Sequence, residues 1–494
     1  MKKFTVKLLA SGVAFAVSPL AFSGTDIFFT PLTESAPVAT VLADENGKKA
    51  SSDAEINQPW VTPAGISQSN LTSMSEIEAD ITQSVVRVAG VGSLASMWDM
   101  IAFDPTGKFL FIPHETPMGA GLSRYDIEND KAEVLFQGNG LGVRGTTSDW
   151  SADWGSFDPA TFTPNNTVLL GEEWSGQGRI IEVLNPMAAP SEIQIRELNS
   201  IPNVSHEGLR FSADGKTLYF VDEWNSGSLY KIVFSDPSDY SQGSEVFVLK
   251  VRKFKGDASA NWDAEMNEGA TRTGLARWVK LANRRGNATT EVNPFKNGIS
   301  DTCNNPETFG GRCAADEVNA TPFGRPEDME IGRLANGREV IYFTATSERR
   351  VYSVEVLGKR FAKVRVFASD LATPKNAGFP ATTAVLNSPD NLAQDANGNI
   401  FIVEDAPNGS AVGGDIWFAR DTNNDGVAES IDHFMSIKTD GSEATGMIFN
   451  PSQPSQFVVS VQHPDSTDIT LYEDGFGDAL WVFDLSGVVA PTAE

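Results

Sequence analysis

Six stretches of this chain follow one grammar. WDMIAFDPTGKFLFIPHE begins at Trp98, DWGSFDPATFTPNNTVLLGEEW at Asp153 and HEGLRFSADGKTLYFVDEW at His206. RPEDMEIGRLANGREVIYFTATSE begins at Arg325, PDNLAQDANGNIFIVED at Pro389 and EATGMIFNPSQPSQFVVSVQHP at Glu443. In each, a polar start leads into a short strand, an Asp/Asn/Pro/Gly turn follows, and a more apolar second strand ends on polar residues. This is a hairpin pattern. Several units continue into another strand, as in GSLYKIVF and DIWFAR. A small sheet recurring about every 50–65 residues predicts a propeller with one blade per unit. The expected fold is all-β: a six-bladed β-propeller over about residues 84–490. Two β-sandwiches would not explain the shared grammar. The abundance of turn formers, 43 Gly and 26 Pro in 494 residues, fits the same class.

The repeat is interrupted once. Residues from about 250 to 320, with the basic stretch RTGLARWVKLANRR, predict a loop or helical insertion lying as a lid on one face. Residues 24–83 are rich in Ser, Thr, Ala, Pro and Asp and are expected to form a loosely packed leading segment. Ahead of them, Lys2, Lys3 and Lys7 precede an apolar run, Leu8 to Phe22, and Ala21-Phe22-Ser23 offers a cleavage site. Residues 1–23 thus read as a Sec-type signal peptide, which predicts a bacterial periplasmic or secreted protein. Export makes a local disulfide between Cys303 and Cys313, the only two cysteines, the expected state.

The net charge is −27, from 65 acidic and 38 basic residues. Broad nucleic-acid or anionic-membrane binding is disfavoured. No later segment approaches the length of a membrane span. Closely placed carboxylates instead favour bound cations. Asp99, Glu207, Glu327, Asp390 and Glu443 sit at or near the start of the first strand of five units, and Asp153 is the nearest acid in the second. Glu115, Glu172, Glu173, Asp222, Glu223 and Asp405 end second strands. If propeller symmetry turns the first group to the axis, those charges need protons or metal ions. Of the four histidines, His114, His206 and His463 fall inside units; His433 does not. Separately, Asp421-Thr422-Asn423-Asn424-Asp425-Gly426 has the alternate-oxygen spacing of a calcium loop, with Glu429 and Asp432 downstream. An Asn/Asp-rich turn is the competing reading.

From Trp98 onward the motifs resemble the PhoX-type alkaline phosphatases. The likeness rests on PHE at 113–115, SHEG at 205–208, GRPED at 324–328, SPDNLAQDANGNIFIVED at 388–405, EATG at 443–446 and VQHP at 461–464. It implies an exported six-bladed propeller with iron and calcium at its axis, hydrolysing phosphate monoesters. It further implies Glu207 and Glu327 as metal ligands, Asp390, Glu172 and Glu173 as further candidates, and Arg325 as the catalytic group that holds the substrate phosphate. An Arg fork suits two phosphate oxygens. The chain departs from the family in three places. Gly171 stands where the family carries a Cys whose thiolate bridges the irons, which speaks for calcium and against iron. The family's second phosphate-binding Arg is lost near Asp432-His433. No twin-arginine pair occurs in the signal.

Three functions follow as expectations. The first is a metal-dependent phosphatase acting on small phosphoesters, monomeric and without nucleic-acid partners. The second is a calcium-dependent lactonase or esterase propeller, since a calcium-bound ester carbonyl needs no thiolate. The third is a non-catalytic calcium-binding propeller. No serine elbow, P-loop or dinucleotide fingerprint occurs in a fitting context.

Overall fold

A computed structural model describes residues 27–38, 58–80, 97–142, 150–174, 178–296, 303, 310–464 and 476–488. The expected signal peptide lies outside the described residues. The fold is all-β and propeller-like. Short antiparallel meanders follow one another along the chain, each strand pairing with the next. β1 (Trp60–Val61) and β2 (Ser67–Ser73) lead, and a seven-residue helix, Met74–Asp80, follows them. The first repeat unit gives β3 (Ala102–Phe103), β4 (Phe109–Pro113), β5 (Gly121–Asp126) and β6 (Lys131–Gln137). The second gives β7 (Phe157–Phe162), β8 (Val168–Glu172), β9 (Ile180–Val183) and β10 (Ile195–Glu197). The third gives β11 (His206–Phe211), β12 (Thr217–Asp222), β13 (Leu229–Val233) and β14 (Glu245–Val251), and β15 (Gly274–Ala282) follows.

The fourth unit forms β16 (Pro326–Arg333), β17 (Glu339–Ala345), β18 (Arg350–Val356) and β19 (Phe361–Ser369). The fifth forms β20 (Pro389–Gln394), β21 (Ile400–Glu404), β22 (Asp415–Arg420) and β23 (Ser430–Ile437). The last forms β24 (Glu443–Asn450), β25 (Gln453–Gln462) and β26 (Ala479–Asp484). These strands make five hydrogen-bonded sheets. Four have four or five strands. One has nine, because β15 pairs with β14 on one side and β19 on the other and so joins the third and fourth meanders edge to edge.

Two expectations are corrected here. RTGLARWVKLANRR does not form a helix or lid. Its central part is β15, with Ala276, Trp278 and Leu281 buried in the sheet interior. The period-2 alternation Ala276–Trp278 is a strand pattern, which the density of Arg and Lys concealed. The helices described in this region are a 3-10 turn, Glu265–Asn267, and a short α-helix, Gly311–Glu317, neither of them in this stretch. The described part of the leading segment, residues 27–38 and 58–80, is also not loosely attached. Trp60 is buried, β1 pairs with β23, and β2 is the outer strand of the last sheet, paired with β26. β2 and β26, far apart in sequence, therefore share one sheet, and β2 covers the edge of β26 that would otherwise invite pairing with another molecule.

The interior lies between successive sheets. Phe401, Phe418, Phe434 and Phe457 fill one such layer, and Tyr352, Phe343 and Phe323 another. The first strands β3, β7, β11, β16, β20 and β24 pack each against the next, and β24 returns to β3. The starts of these strands converge, and the candidate site is built there.

Candidate functional site

The first strands share a distortion. β7, β11, β16 and β20 pair with their second strands at Phe157, His206, Pro326 and Pro389, skip two residues, and resume at Ala160, Leu209, Met329 and Leu392. A β-bulge of this kind bends the strand and re-aims a side chain. The first skipped residue is acidic each time: Asp158, Glu207, Glu327 and Asp390. Asp99 stands three residues before Ala102 of β3, as Asp158 stands three before Thr161 of β7. In β24 the equivalent residue, skipped between Ala444 and Met447, is Thr445.

The bulged acids assemble into two groups. Glu207, Glu327 and Asp390 bring one oxygen each within 4.8 Å of one another, and so do Asp99, Glu115 and Asp158. Oδ1 of Asp99, Oδ1 of Asp158, Oε2 of Glu207 and Oδ1 of Asp390 are buried without a hydrogen-bond partner. Burial pushes all six carboxyls above their ordinary range, and the charges of their neighbours push five of them further. For Asp390, burial wins over Arg325 and brings it to about 7. Such groups cannot all be ionised unless positive charge joins them. Both groups could hold a metal ion, and their donors are carboxylate oxygens alone, the set hard cations prefer.

One positive charge that the chain itself supplies is Arg325. Its Nε donates to Glu223, Nη2 lies 3.2 Å from Glu327 Oε1, and Nη1 lies 3.9 Å from Asp405. The side chain is 38% exposed, so the fork is held at the rim of the acidic cluster with one side open. Its spacing of two from Glu327 suggests two residues on one face of a strand. The structure differs. Arg325 precedes β16 and has φ 49°, so a left-handed backbone turn brings it beside Glu327. For a non-glycine residue this conformation costs of order 1–3 kcal/mol, and it clusters at functional sites.

The remaining candidates separate. Glu172 and Glu173 part company at the end of β8. Glu172 faces into its sheet, where Nε and Nη2 of Arg179 donate to it at 2.6 and 2.7 Å and Gly155 N at 3.1 Å. Glu173 adds its charge to Asp99, Glu115 and Asp158. Asp153 is not the second unit's axial acid; its carboxylate accepts from the amides of Gly119, Gly142 and Trp154. Asp158 takes that place and is the residue that sequence reading missed. Aligning the units on Ala160 and Phe162 against Leu209 and Phe211 would have found it.

Glu443 stands two residues before the bulge position and bonds His463 and Gln462, each at 2.9 Å. His114 and His206 are buried, bond Ser123 and the Pro202 carbonyl, and are pushed down to about 3 by burial, so they stay neutral outside both carboxylate groups.

Asp421, Asn423 and Asp425 sit in the β22–β23 turn, outside both carboxylate groups. Asp421 accepts from the amides of Asp425 and Gly426 at 3.0 and 2.8 Å, and Asn423 Nδ2 donates to Glu429 at 2.6 Å. Asp421, Asp425 and Glu429 do not form a three-carboxylate group of the axial kind. Cys303 and Cys313 form a disulfide. Next to it, Arg312 donates to Asp222 at 2.5 and 2.7 Å. Gly171 supplies no ligand. A Cβ there would lie 2.7 Å from the His206 Cβ and 2.9 Å from Pro159 Cγ. A thiolate at this point would need both neighbours to shift, so the residues present fit oxygen-bound cations and not a thiolate-bridged pair.

Fold and site together define a propeller-like protein of the phosphatase type, with an acidic axis and an arginine at its rim. Residues 145–465 match the family model for the alkaline phosphatase PhoX, and the chain belongs to that family. A search of the curated proteins finds no match. Among solved structures it is similar to Pseudomonas fluorescens PhoX in complex with vanadate, a transition state analogue. That likeness has a TM-score of 0.58 and 15% identity, over 94% of this chain and 100% of the other. It is also similar, at TM-score 0.40, to a luciferin-regenerating enzyme (10% identity, 86% and 98% covered) and to a virginiamycin B lyase from Staphylococcus aureus (11%, 85% and 99%).

Proposed function

We propose that this chain is an exported, metal-dependent phosphatase that hydrolyses small phosphate monoesters at the acidic axis. The observation that supports it most is Arg325 beside Glu207, Glu327 and Asp390, with buried carboxylate oxygens left unpartnered. Glu207, Glu327 and Asp390 would hold one cation, Asp99, Glu115 and Asp158 a second, with Glu173 adding charge. When bound, such ions supply Lewis-acid polarisation of a phosphoryl oxygen and lower the pKa of water. Calcium is the favoured ion, given the all-oxygen donors and Gly171. Arg325 presents two N–H groups to the equatorial phosphoryl oxygens, where charge grows in the transition state. Glu223 orients that fork from behind. We count each half of the nine-stranded sheet as one blade, which makes six, so the axis is a six-fold convergence of first strands. Export rests on the lysine-led apolar run at residues 1–23.

The test is hydrolysis of a phosphomonoester by the mature chain, with calcium and with chelator, and inhibition by vanadate, which the Pseudomonas protein binds. The absence of a thiolate favours one second reading, a calcium-dependent lactonase or esterase. Hydrolysis of a lactone, with no turnover of phosphomonoesters, would replace the first reading by that one.

A further inference from the structure

A second feature stands apart from the axis. The outer face where β14, β15 and β19 meet is basic, in a chain whose net charge is −27. Register places Lys250 opposite Arg277 and Arg277 opposite Phe361. One step along, Leu275 lies opposite Lys363, and Arg252 N donates to the Leu275 carbonyl. Like charges placed opposite each other across strands are destabilising. Lys250 shows the effect: burial first, and then Arg277 and Lys255, push it down.

A cleft of about 720 Å³ opens on this face, lined by Arg252, Lys253, Lys363, Thr271, Thr273 and Leu275. The three cations have no ion-pair partner among the described residues. Leu275 and Phe361, at the cleft and beside it, are 52% and 53% exposed. By contrast, Lys280 of β15 and Lys359 of the β18–β19 turn are both matched by Glu245.

Three unpaired cations and two hydroxyl-bearing residues around one cleft recognise clustered negative charge; the adjacent Leu and Phe recognise something apolar. We propose that this cleft binds a polyanion with clustered phosphate or sulfate groups, with Leu275 and Phe361 meeting an apolar part of the same molecule. Such a ligand is either soluble or the headgroup of an anionic lipid. The site is independent of the axial chemistry and does not rest on it.

The test uses the full chain and two probes: sucrose octasulfate, which carries no phosphoester, and vesicles of phosphatidylglycerol and phosphatidylcholine in equal amounts. Binding of either, weakened by salt as exposed charge requires, is the expected result. R252Q, K253Q and K363Q should each weaken it about tenfold, the usual effect of losing a charge-assisted hydrogen bond. R284Q/R285Q, which removes two exposed arginines not lining the cleft, should leave it unchanged, and Arg252→Lys should retain most of it. If Leu275→Ser and Phe361→Ser lower vesicle binding alone, the ligand is a lipid headgroup. If only the sulfated sugar binds, the ligand is soluble. Binding of neither probe overturns the proposal, and so does equal weakening by R284Q/R285Q, which would make the effect one of bulk charge.

Discussion

Glu172 and Glu173 are consecutive, yet the first closes a two-pronged ion pair with Arg179 inside its sheet while the second places its charge among the axial acids. Strand alternation sends adjacent side chains to opposite faces. The pattern recurs at other strand ends. Asp222 is held by Arg312 and the next residue, Glu223, by Arg325; Glu404 is held by Trp417 and Asn387 and the next, Asp405, faces Arg325. One member of each pair stabilises the sheet and the other belongs to the site.

Substitution of the two glutamates should therefore diverge. Glu172→Ala leaves the buried Arg179 only the half-exposed Glu197, 3.6 Å away, as a counter-charge, and breaking a buried pair costs about 3–5 kcal/mol. Glu173→Ala removes one of several mutually repelling charges, so stability in chelator should hold or rise. Urea unfolding of both variants checks the contrast.

At the axis, Arg325→Ala should lower kcat/KM for a phosphomonoester by about 100-fold or more, the scale expected for lost transition-state charge stabilisation. Glu327→Ala should lower bound metal as well as rate, read by elemental analysis of the purified chain. Full activity of the Arg325 variant would remove the phosphate role assigned to it.

The β22–β23 turn separates its two readings in one experiment. Asp421 accepts two backbone amides, so Asp421→Ala should destabilise by about 1–3 kcal/mol even in chelator. A loss seen in calcium and absent in chelator would instead assign Asp421 to an ion, since a ligand of the native state stabilises by mass action.

Acid stability has a named contributor. Burial works to raise Glu355, but Arg338, Arg365 and Asn336 outweigh it and hold it at about 2, below its ordinary 4.5. A depressed carboxyl contributes stability that is fully present above pH 4.5 and lost as pH falls through 2. Glu355→Gln should remove up to about 3 kcal/mol near neutral pH and flatten the stability curve across that window, as monitored by denaturant melts at each pH.

The amino-acid sequence by itself determined the repeat, because hairpin signals are local: a turn and two short apolar runs suffice. It also determined four of the axial acids, Asp99, Glu207, Glu327 and Asp390, since they recur at one place in the grammar. The single disulfide follows from there being two cysteines. Only the tertiary structure decided which neighbouring acid faces inward, because a bulge shifts the register by an amount that composition does not record. The bulges put Asp158 at the site in β7 and Thr445 where Glu443 was expected in β24, and strand alternation turned Glu172 away. Long-range pairing likewise made β15 a bridge between two meanders and drew β2 into the last sheet. Hydrogen bonds between strands far apart in the chain are satisfied by whichever edge lies open, and no local run of residues specifies that edge.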